Sequence, residues 1–160
     1  MRKEKRVVET LSILDAIDAA RFEAEALHDE MQEWASNLEE RFSTTDKYSR
    51  VSETADALDS VVSDLETIQV PGAAETRPVE IVTFTPYGRR GPSRATRASN
   101  ASNYLSAAAS GLSAWIEEMR ARQDLTEDET DALDEAESVV GEIEAQADEL
   151  GGLDFPGMYG

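Results

Sequence analysis

The chain has 160 residues, which suits one domain or two small ones, and 34 acidic residues against 15 basic residues give a net charge of -19. The absence of cysteine excludes disulfides, thiolate catalysis and cysteine-ligated metal centres. No apolar run is long enough to span a membrane, and the basic N-terminus lacks the apolar stretch of a secretory signal. Because like charges repel less in salt, we expect rising ionic strength to stabilise the fold.

The first predicted element is a long helix. Apolar residues between Lys5 and Phe42 recur every three or four positions, which is the helical period. A polar break at 43–46 is followed by a second apolar stripe from Tyr48 to Leu65 with heptad spacing, typical of a coiled coil. The short break predicts that these helices lie antiparallel, as an N-terminal helical hairpin over residues 1–70.

Residues 71–98 differ in composition and predict an extended basic linker rich in Pro, Gly, Thr and Arg. Val79–Phe84 has the composition of a β-strand, but no second strand is evident in this sequence. The segment either pairs with a copy of itself, lies on the sheet edge of a partner, or remains an unpaired linker.

Residues 99–152 predict a second, C-terminal helical hairpin. Its first helix is expected to begin near Ser99 or Asn100, and its second helix follows a capping box formed by Thr126 and Glu129. The fold class is therefore mainly α: two antiparallel helical hairpins joined by an extended linker with one short β-strand. Four large apolar residues are expected to pack near the helix seams, where oligomerisation completes a thin core: Trp34, Leu58, Trp115 and Val140.

A basic cluster at the end of the linker is a candidate partner-binding site. Arg89, Arg90, Arg94 and Arg97 occur together with no acidic residue among them. Such a cluster binds phosphates or an acidic partner surface, or it pairs with the acidic helices of its own chain. The sequence leaves these alternatives open.

The last segment, residues 153–160, is a candidate docking tail. It carries Phe155 and Tyr159 among Pro and Gly residues. Aromatic side chains on an extended end dock into a neighbouring subunit, whereas the alternative is a frayed terminus.

Two further patterns each allow a functional and a simpler structural explanation. Glu25 and His28 have the i, i+3 spacing of a di-iron ligand pair, but a second histidine would have to come from a symmetric dimer. Residues 123–150 contain twelve acids and no base, which indicates either a solvated helix face or mimicry of nucleic acid. We expect no catalytic residue, metal or cofactor, and no direct binding of nucleic acid by so acidic a chain.

The run Glu30-Met31-Gln32-Glu33-Trp34-Ala35-Ser36-Asn37-Leu38-Glu39-Glu40, followed by Thr45-Asp46-Lys47-Tyr48, resembles small helical proteins of tailed viruses of bacteria and archaea. The resemblance covers about residues 25–70, and Glu39 stands where those proteins usually have Pro. The functions of these proteins are mostly unassigned, so the resemblance implies a viral origin and no functional residue.

These observations predict a non-enzymatic structural or interaction protein, capsid-associated or a head–tail connector in a tailed virus. Its expected partners are itself, as a homo-oligomer, and other structural proteins, with no membrane. Its expected location is the virion, or the host cytoplasm before assembly. The alternative function is an acidic nucleic-acid mimic that inhibits a DNA- or RNA-processing enzyme.

Overall fold

The computed structural model describes residues 4–42, 45–88 and 91–156. Within these ranges the protein is mainly helical, which confirms the predicted mainly α class. It also contains one two-stranded antiparallel sheet. The elements in chain order are β1 (Glu4–Ser12), α1 (Ile13–Phe42), α2 (Asp46–Glu66), β2 (Pro78–Pro86), α3 (Arg94–Arg120) and α4 (Glu127–Gly151).

The prediction that the first helix begins near Lys5 is wrong, because Glu4–Ser12 forms strand β1. The segment contains Val7, Val8 and Thr10, whose β-branched side chains favour the extended backbone. The Ser12 hydroxyl accepts a hydrogen bond from the Asp15 backbone N–H at 3.0 Å, which satisfies a free donor at the start of α1. The helix therefore begins where this cap stands.

The prediction of a single strand without a partner in this chain is also wrong. Strand β2 pairs with β1 over its full length, from Glu4 opposite Pro86 to Ser12 opposite Pro78. The inner face carries Leu11 opposite Val79, and Val79 is buried against the helices. The alternating burial along β2 is the pattern of a sheet with one face on the core.

The helix ends follow local capping chemistry. Helix α3 begins at Arg94, earlier than the predicted Ser99 or Asn100, because the Ser93 hydroxyl accepts the Thr96 N–H at 3.2 Å. The capping box of Thr126 and Glu129 at the start of α4 is confirmed. Helix α2 begins after its cap, Thr45, whose hydroxyl accepts the Tyr48 N–H at 3.2 Å.

The core lies between the four helices and the inner face of the sheet. α1 packs along both α2 and α3, and α3 packs along α4 and against β2. Gly111 of α3 makes the closest approach, since a Cβ there would stand 2.3 Å from Cγ1 of Val79. The largest fully buried side chains are Ile13, Leu27, Met31, Leu58, Ile81, Leu105, Leu112, Ile143, Leu150, Val51 and Val61.

The expected division into segments 1–70, 71–98, 99–152 and 153–160 stays a prediction. Contacts nevertheless cross its boundaries: β1 pairs with β2, and α1 packs along α3. Arg77, just before β2, also forms a bidentate ion pair with Glu118 of α3, at 2.7 and 2.8 Å.

Candidate functional site

The basic cluster meets α1 through the first two turns of α3. Arg97 donates hydrogen bonds to Glu23 and Glu30, and its Nη1 lies 2.9 Å from Oε1 of Glu30. Arg94 donates to the same Glu30 oxygen at 3.2 Å. Hydrogen bonding by Arg97 lowers the pKa of Glu30, against an opposing effect of burial, and the charges of Arg97 and Arg94 lower it further. Arg94 and Arg97 are thus paired with acids of their own chain, and Arg89 and Arg90 lie outside the described residues.

Trp34 lies where three helices meet. The Arg94 guanidinium carbon is 5.2 Å from the centre of the Trp34 ring, and the Lys47 ammonium is 5.9 Å from it. Cations at this distance from an indole ring are attracted to its electron-rich face. Of the four predicted seam residues, Leu58 and Val140 are buried, whereas Trp34 and Trp115 are partly buried and pack against the core.

The described part of the tail contacts helix α2 of the same chain. Arg50 donates to the Asp154 carboxylate at 2.8 and 3.1 Å, and the hydroxyl of Thr54 donates to the Asp154 carbonyl at 2.6 Å. The hydrogen bonds from Arg50 lower the pKa of the Asp154 carboxyl. Phe155 is partly buried against the core, and Tyr159 lies outside the described residues.

A cleft of about 590 Å³ opens between α1, β2 and α3. Its polar side chains include those of Glu23, Arg97, Asn100 and Tyr104. The Tyr104 hydroxyl donates to the Glu9 carboxylate of β1, and burial together with this bond raises the pKa of Tyr104 to about 12. Each of these four side chains is hydrogen-bonded within the chain, so the cleft presents paired groups.

Glu25 and His28 have different partners. Glu25 accepts a hydrogen bond from Arg21 at 2.9 Å, whereas Nδ1 of His28 lies 3.4 Å from Asp29 and Nε2 lies 4.0 Å from Asp59. Across 4–42, 45–88 and 91–156, no group of three or more His, Cys, Asp or Glu side chains is arranged to hold a metal ion.

The two edges of the sheet differ. On the β2 edge, Asn100 of α3 bonds both the N–H and the carbonyl of Phe84, and Asn103 donates to the Val82 carbonyl at 3.0 Å. In the described part of the chain no helix or strand is hydrogen-bonded along the β1 edge: β1 packs mainly on β2 and α1, and its Glu9 side chain accepts a bond from Tyr104 of α3. Helical spacing predicts a helix over this segment and therefore no strand edge; the β-branched run Val7-Val8 with Thr10 is the signal in the sequence that favours a strand.

Three exposed apolar side chains belong to the sheet or follow it directly. Val8 is 50% exposed, Phe84 36% and Tyr87 63%. Val8 stands opposite Val82, and Phe84 is the next outward-facing residue along β2. The solvent side of the sheet therefore carries an apolar patch beside the open edge, and we call the edge and the patch together the sheet surface.

Helix α4 presents the acidic segment outward. Arg120 pairs with Asp134 at 2.7 Å and with Glu137 at 3.0 Å. Nine other acids of this helix are exposed and make no ion pair within the described residues: Glu127, Asp128, Glu129, Asp131, Glu135, Glu142, Glu144, Asp148 and Glu149. Both explanations of the acidic run, a solvated face and a mimic of nucleic acid, are compatible with this arrangement.

No helix among the described residues is long and apolar enough to cross a lipid bilayer. Comparison with protein families, curated proteins and solved structures finds no match to this chain.

Proposed function

We propose that this chain is a non-enzymatic interaction protein, in its specific form a capsid-associated or head–tail connector component of a tailed virus. The observation that carries the proposal is the sheet surface, where an uncovered strand edge adjoins exposed Val8, Phe84 and Tyr87. Exposed strand edges add strands from partners, and adjoining apolar side chains strengthen such contacts. The polar side chains Glu23, Arg97, Asn100 and Tyr104 of the cleft, by contrast, already have hydrogen-bond partners within the chain.

The helical body suits such a role as two antiparallel helical hairpins. Arg120, at the end of α3, pairs with Asp134 near the start of α4. Ser102, near the start of α3, donates to the Ala147 carbonyl near the end of α4 at 2.8 Å. Contacts at both ends in this order support antiparallel packing of α3 and α4, and the short connection between α1 and α2 favours the same arrangement there.

The exposed area also favours association. The chain exposes 9721 Å² of surface. A compact monomer of 17.5 kDa is expected to expose about 7900 Å². The difference of about 1800 Å² is more than twice the area, about 800 Å², that a standard interface covers on one partner.

The test is affinity capture of the tagged full chain from its native source after nuclease treatment, with mass spectrometry of the bound proteins. Capsid, portal or tail proteins in stoichiometric amounts would support the proposal. A Val8→Glu variant should lose these partners, whereas Phe22→Glu should retain them, because Phe22 is 66% exposed and belongs to α1, not to the sheet. Capture of a nucleic-acid enzyme, unaffected by Val8→Glu, would overturn the proposal.

The second candidate is an acidic inhibitor of a nucleic-acid-processing enzyme, favoured by the nine exposed carboxylates of α4 that make no ion pair within the described residues. It requires a basic partner whose affinity for this chain falls as salt rises. Replacing Glu135 and Glu142 by Gln should weaken that complex, whereas contacts made through the sheet should be unaffected. Equal binding by this variant would count against the inhibitor.

A further inference from the structure

The hydrogen-bond pattern of the sheet fixes which backbone groups of β1 face outward. Both polar backbone groups of Phe84 bond to Asn100, so they point away from β1. Phe84 and its opposite residue, Arg6, therefore form a non-hydrogen-bonded pair, and the N–H and carbonyl of Arg6 point away from β2. In an antiparallel strand, every second residue points its backbone N–H and carbonyl to the same side, so those of Val8 and Thr10 point away from β2 as well. The carbonyl of Val82, the residue opposite Val8, has the same orientation as that of Phe84, since it points away from β1 and accepts from Asn103.

These outward groups need partners that α3 does not provide. On the β2 edge the two asparagine side chains of α3 take the place of a third strand. On the β1 edge, no hydrogen bond to the backbone of Arg6, Val8 or Thr10 from outside the sheet is found among 4–42, 45–88 and 91–156. A two-stranded sheet is of marginal stability by itself and gains from added strands.

We propose that a second copy of this chain covers this edge, with the two β1 strands antiparallel and Val7 opposite its own counterpart. In this register Lys5 of each copy faces Glu9 of the other, which gives two opposite-charge pairs. The Glu9 carboxylate also accepts from Tyr104 of its own chain and keeps acceptor sites for the lysine. Both pairs are of the non-hydrogen-bonded kind, in which side chains approach most closely. Val8 of one copy bonds Arg6 of the other through the backbone, so the apolar patches of the two copies meet.

The neighbouring registers are less complementary. Centring the pair on Arg6 places two arginines opposite each other. Centring it on Val8 places Val7 opposite Glu9 and Lys5 opposite Leu11, which removes both charge pairs. The charge pattern of the strand thus selects one register for a symmetric dimer.

The net charge of -19 on each copy determines how dimerisation depends on salt concentration. At about 0.15 M salt the screening length is about 8 Å, and at about 1 M it is about 3 Å. Repulsion between two acidic bodies is screened more than the contact pairs in the strand interface. The dimer should therefore strengthen as salt rises, which is opposite to the salt dependence of an acidic inhibitor bound to a basic enzyme.

The first experiment measures the mass of the purified full chain by light scattering and sedimentation at low and high salt. The wild type should dimerise at high salt, and Val8→Pro should weaken the dimer about tenfold or more, because it removes one outward N–H. The β1–β2 ladder loses no hydrogen bond in this variant, since Val8 lies in a non-hydrogen-bonded pair. Val8→Thr, which keeps the N–H, is the control, and circular dichroism verifies that both variants fold.

The second experiment tests the register by cross-linking. The chain has no cysteine, so a Val7→Cys variant carries one thiol per copy. Oxidation should produce a covalent dimer, because the two Val7 positions face each other, whereas Thr10→Cys should not cross-link. Cross-linking at Thr10 instead of Val7 would overturn the register.

This inference rests on the proposed interaction function, but different experimental outcomes would overturn the dimer and the interaction function. A purified chain that stays monomeric at high salt, or a dimer that Val8→Pro leaves unchanged, would overturn the second copy as occupant of the edge. Partner capture that depends on Val8 would then still support the interaction function. Dimerisation without any captured structural protein would leave the self-association and overturn the virion role.

Discussion

The side-chain amide of Asn100 bonds the backbone of Phe84 twice, accepting from the N–H at 2.9 Å and donating to the carbonyl at 2.8 Å. One asparagine on a helix thus occupies the position of a neighbouring strand. The β2 edge is satisfied within the chain, and the β1 edge is left for other contacts.

Replacing Asn100 by Ala should lower the free energy of unfolding by about 1–3 kcal/mol, because a pair of backbone groups on β2 loses its partners. Ser99→Ala is the control, since Ser99 is exposed on the same turn of α3. Denaturant unfolding measures both variants. An Asn100→Ala variant as stable as the control would contradict the edge-capping role.

Alanine should have opposite effects on stability at two glycines, because Gly111 lies against Val79 and Gly141 faces open space. Gly111→Ala should destabilise by about 1–3 kcal/mol, because its Cβ would stand 2.3 Å from Cγ1 of Val79. Gly141→Ala on α4 should instead stabilise by about 0.5–1 kcal/mol, because nothing lies within 4 Å of the added Cβ and Ala favours the helix. Adding Val79→Ala to Gly111→Ala should recover part of the loss. Thermal unfolding of the set would contradict the packing if both glycine variants moved in the same direction.

Arg97 predicts a change in acid stability. The lowered pKa of Glu30, due first to the hydrogen bond from Arg97, contributes stability that is present above the ordinary carboxyl pKa of 4.5 and is lost as pH falls through the folded value. Arg97→Gln should lower the free energy of unfolding near neutral pH, because it removes the ion pair with Glu30. The loss should be only about 1 kcal/mol, because the side chains of Arg97 and Glu30 are partly exposed and solvent screens their charges. As pH falls below 4.5, the difference in stability between variant and wild type should shrink. Unfolding curves across this range provide the measurement, and a difference independent of pH would rule out the charge pairing as its cause.

Tyr104 predicts a change in alkaline stability. Because its pKa is raised to about 12, its contribution to stability is full below pH 10 and is lost as pH rises through about 12. Tyr104→Phe should remove the phenol absorbance step near pH 12 and flatten the loss of stability above pH 10. An absorbance titration that keeps this step in the variant would assign it to another of the four tyrosines.

We expect the hydrogen bond from the Thr54 hydroxyl to the Asp154 carbonyl to hold the tail on α2, since Thr54 is only 4% exposed. Thr54→Val should cost about 1–2 kcal/mol, because it leaves a carbonyl of the tail without its donor. Thr54→Ser keeps the hydroxyl and should behave more like the wild type in denaturant unfolding. If Val and Ser at this position proved equally stable, the hydrogen bond to Asp154 would not be what holds the tail.

Much of the helical structure could be predicted because its signals are local. The stripe of Val51, Ala55, Leu58 and Leu65 is buried along α2, and Thr126 and Glu129 form the expected capping box. Each signal lies within a few residues, where helical periodicity and capping chemistry operate.

Strand β1 could not be recognised in this way, because Val7 and Leu11 fit a helical step of four as well as a strand alternation through Glu9. The decision depends on a partner strand far along the chain, whose residues Thr83 and Val79 stand opposite Val7 and Leu11. The ion pairs of Arg97 with Glu23 and Glu30 are equally non-local. Sequence spacing identified the basic cluster, but only the packing of α3 on α1 identifies its partners.

The backbone hydrogen bond from the Ile13 N–H to the Arg77 carbonyl, at 2.9 Å, joins the end of β1 to the start of β2. The whole α1–α2 segment lies between these two residues. Closing so long a loop in an unstructured chain carries a large entropic cost before any contact compensates for it. Packing of α2 back along α1 shortens the effective loop and brings the strand ends together. The sheet should therefore form late in folding, after these two helices, and the exposed β1 edge should be completed only in nearly native molecules.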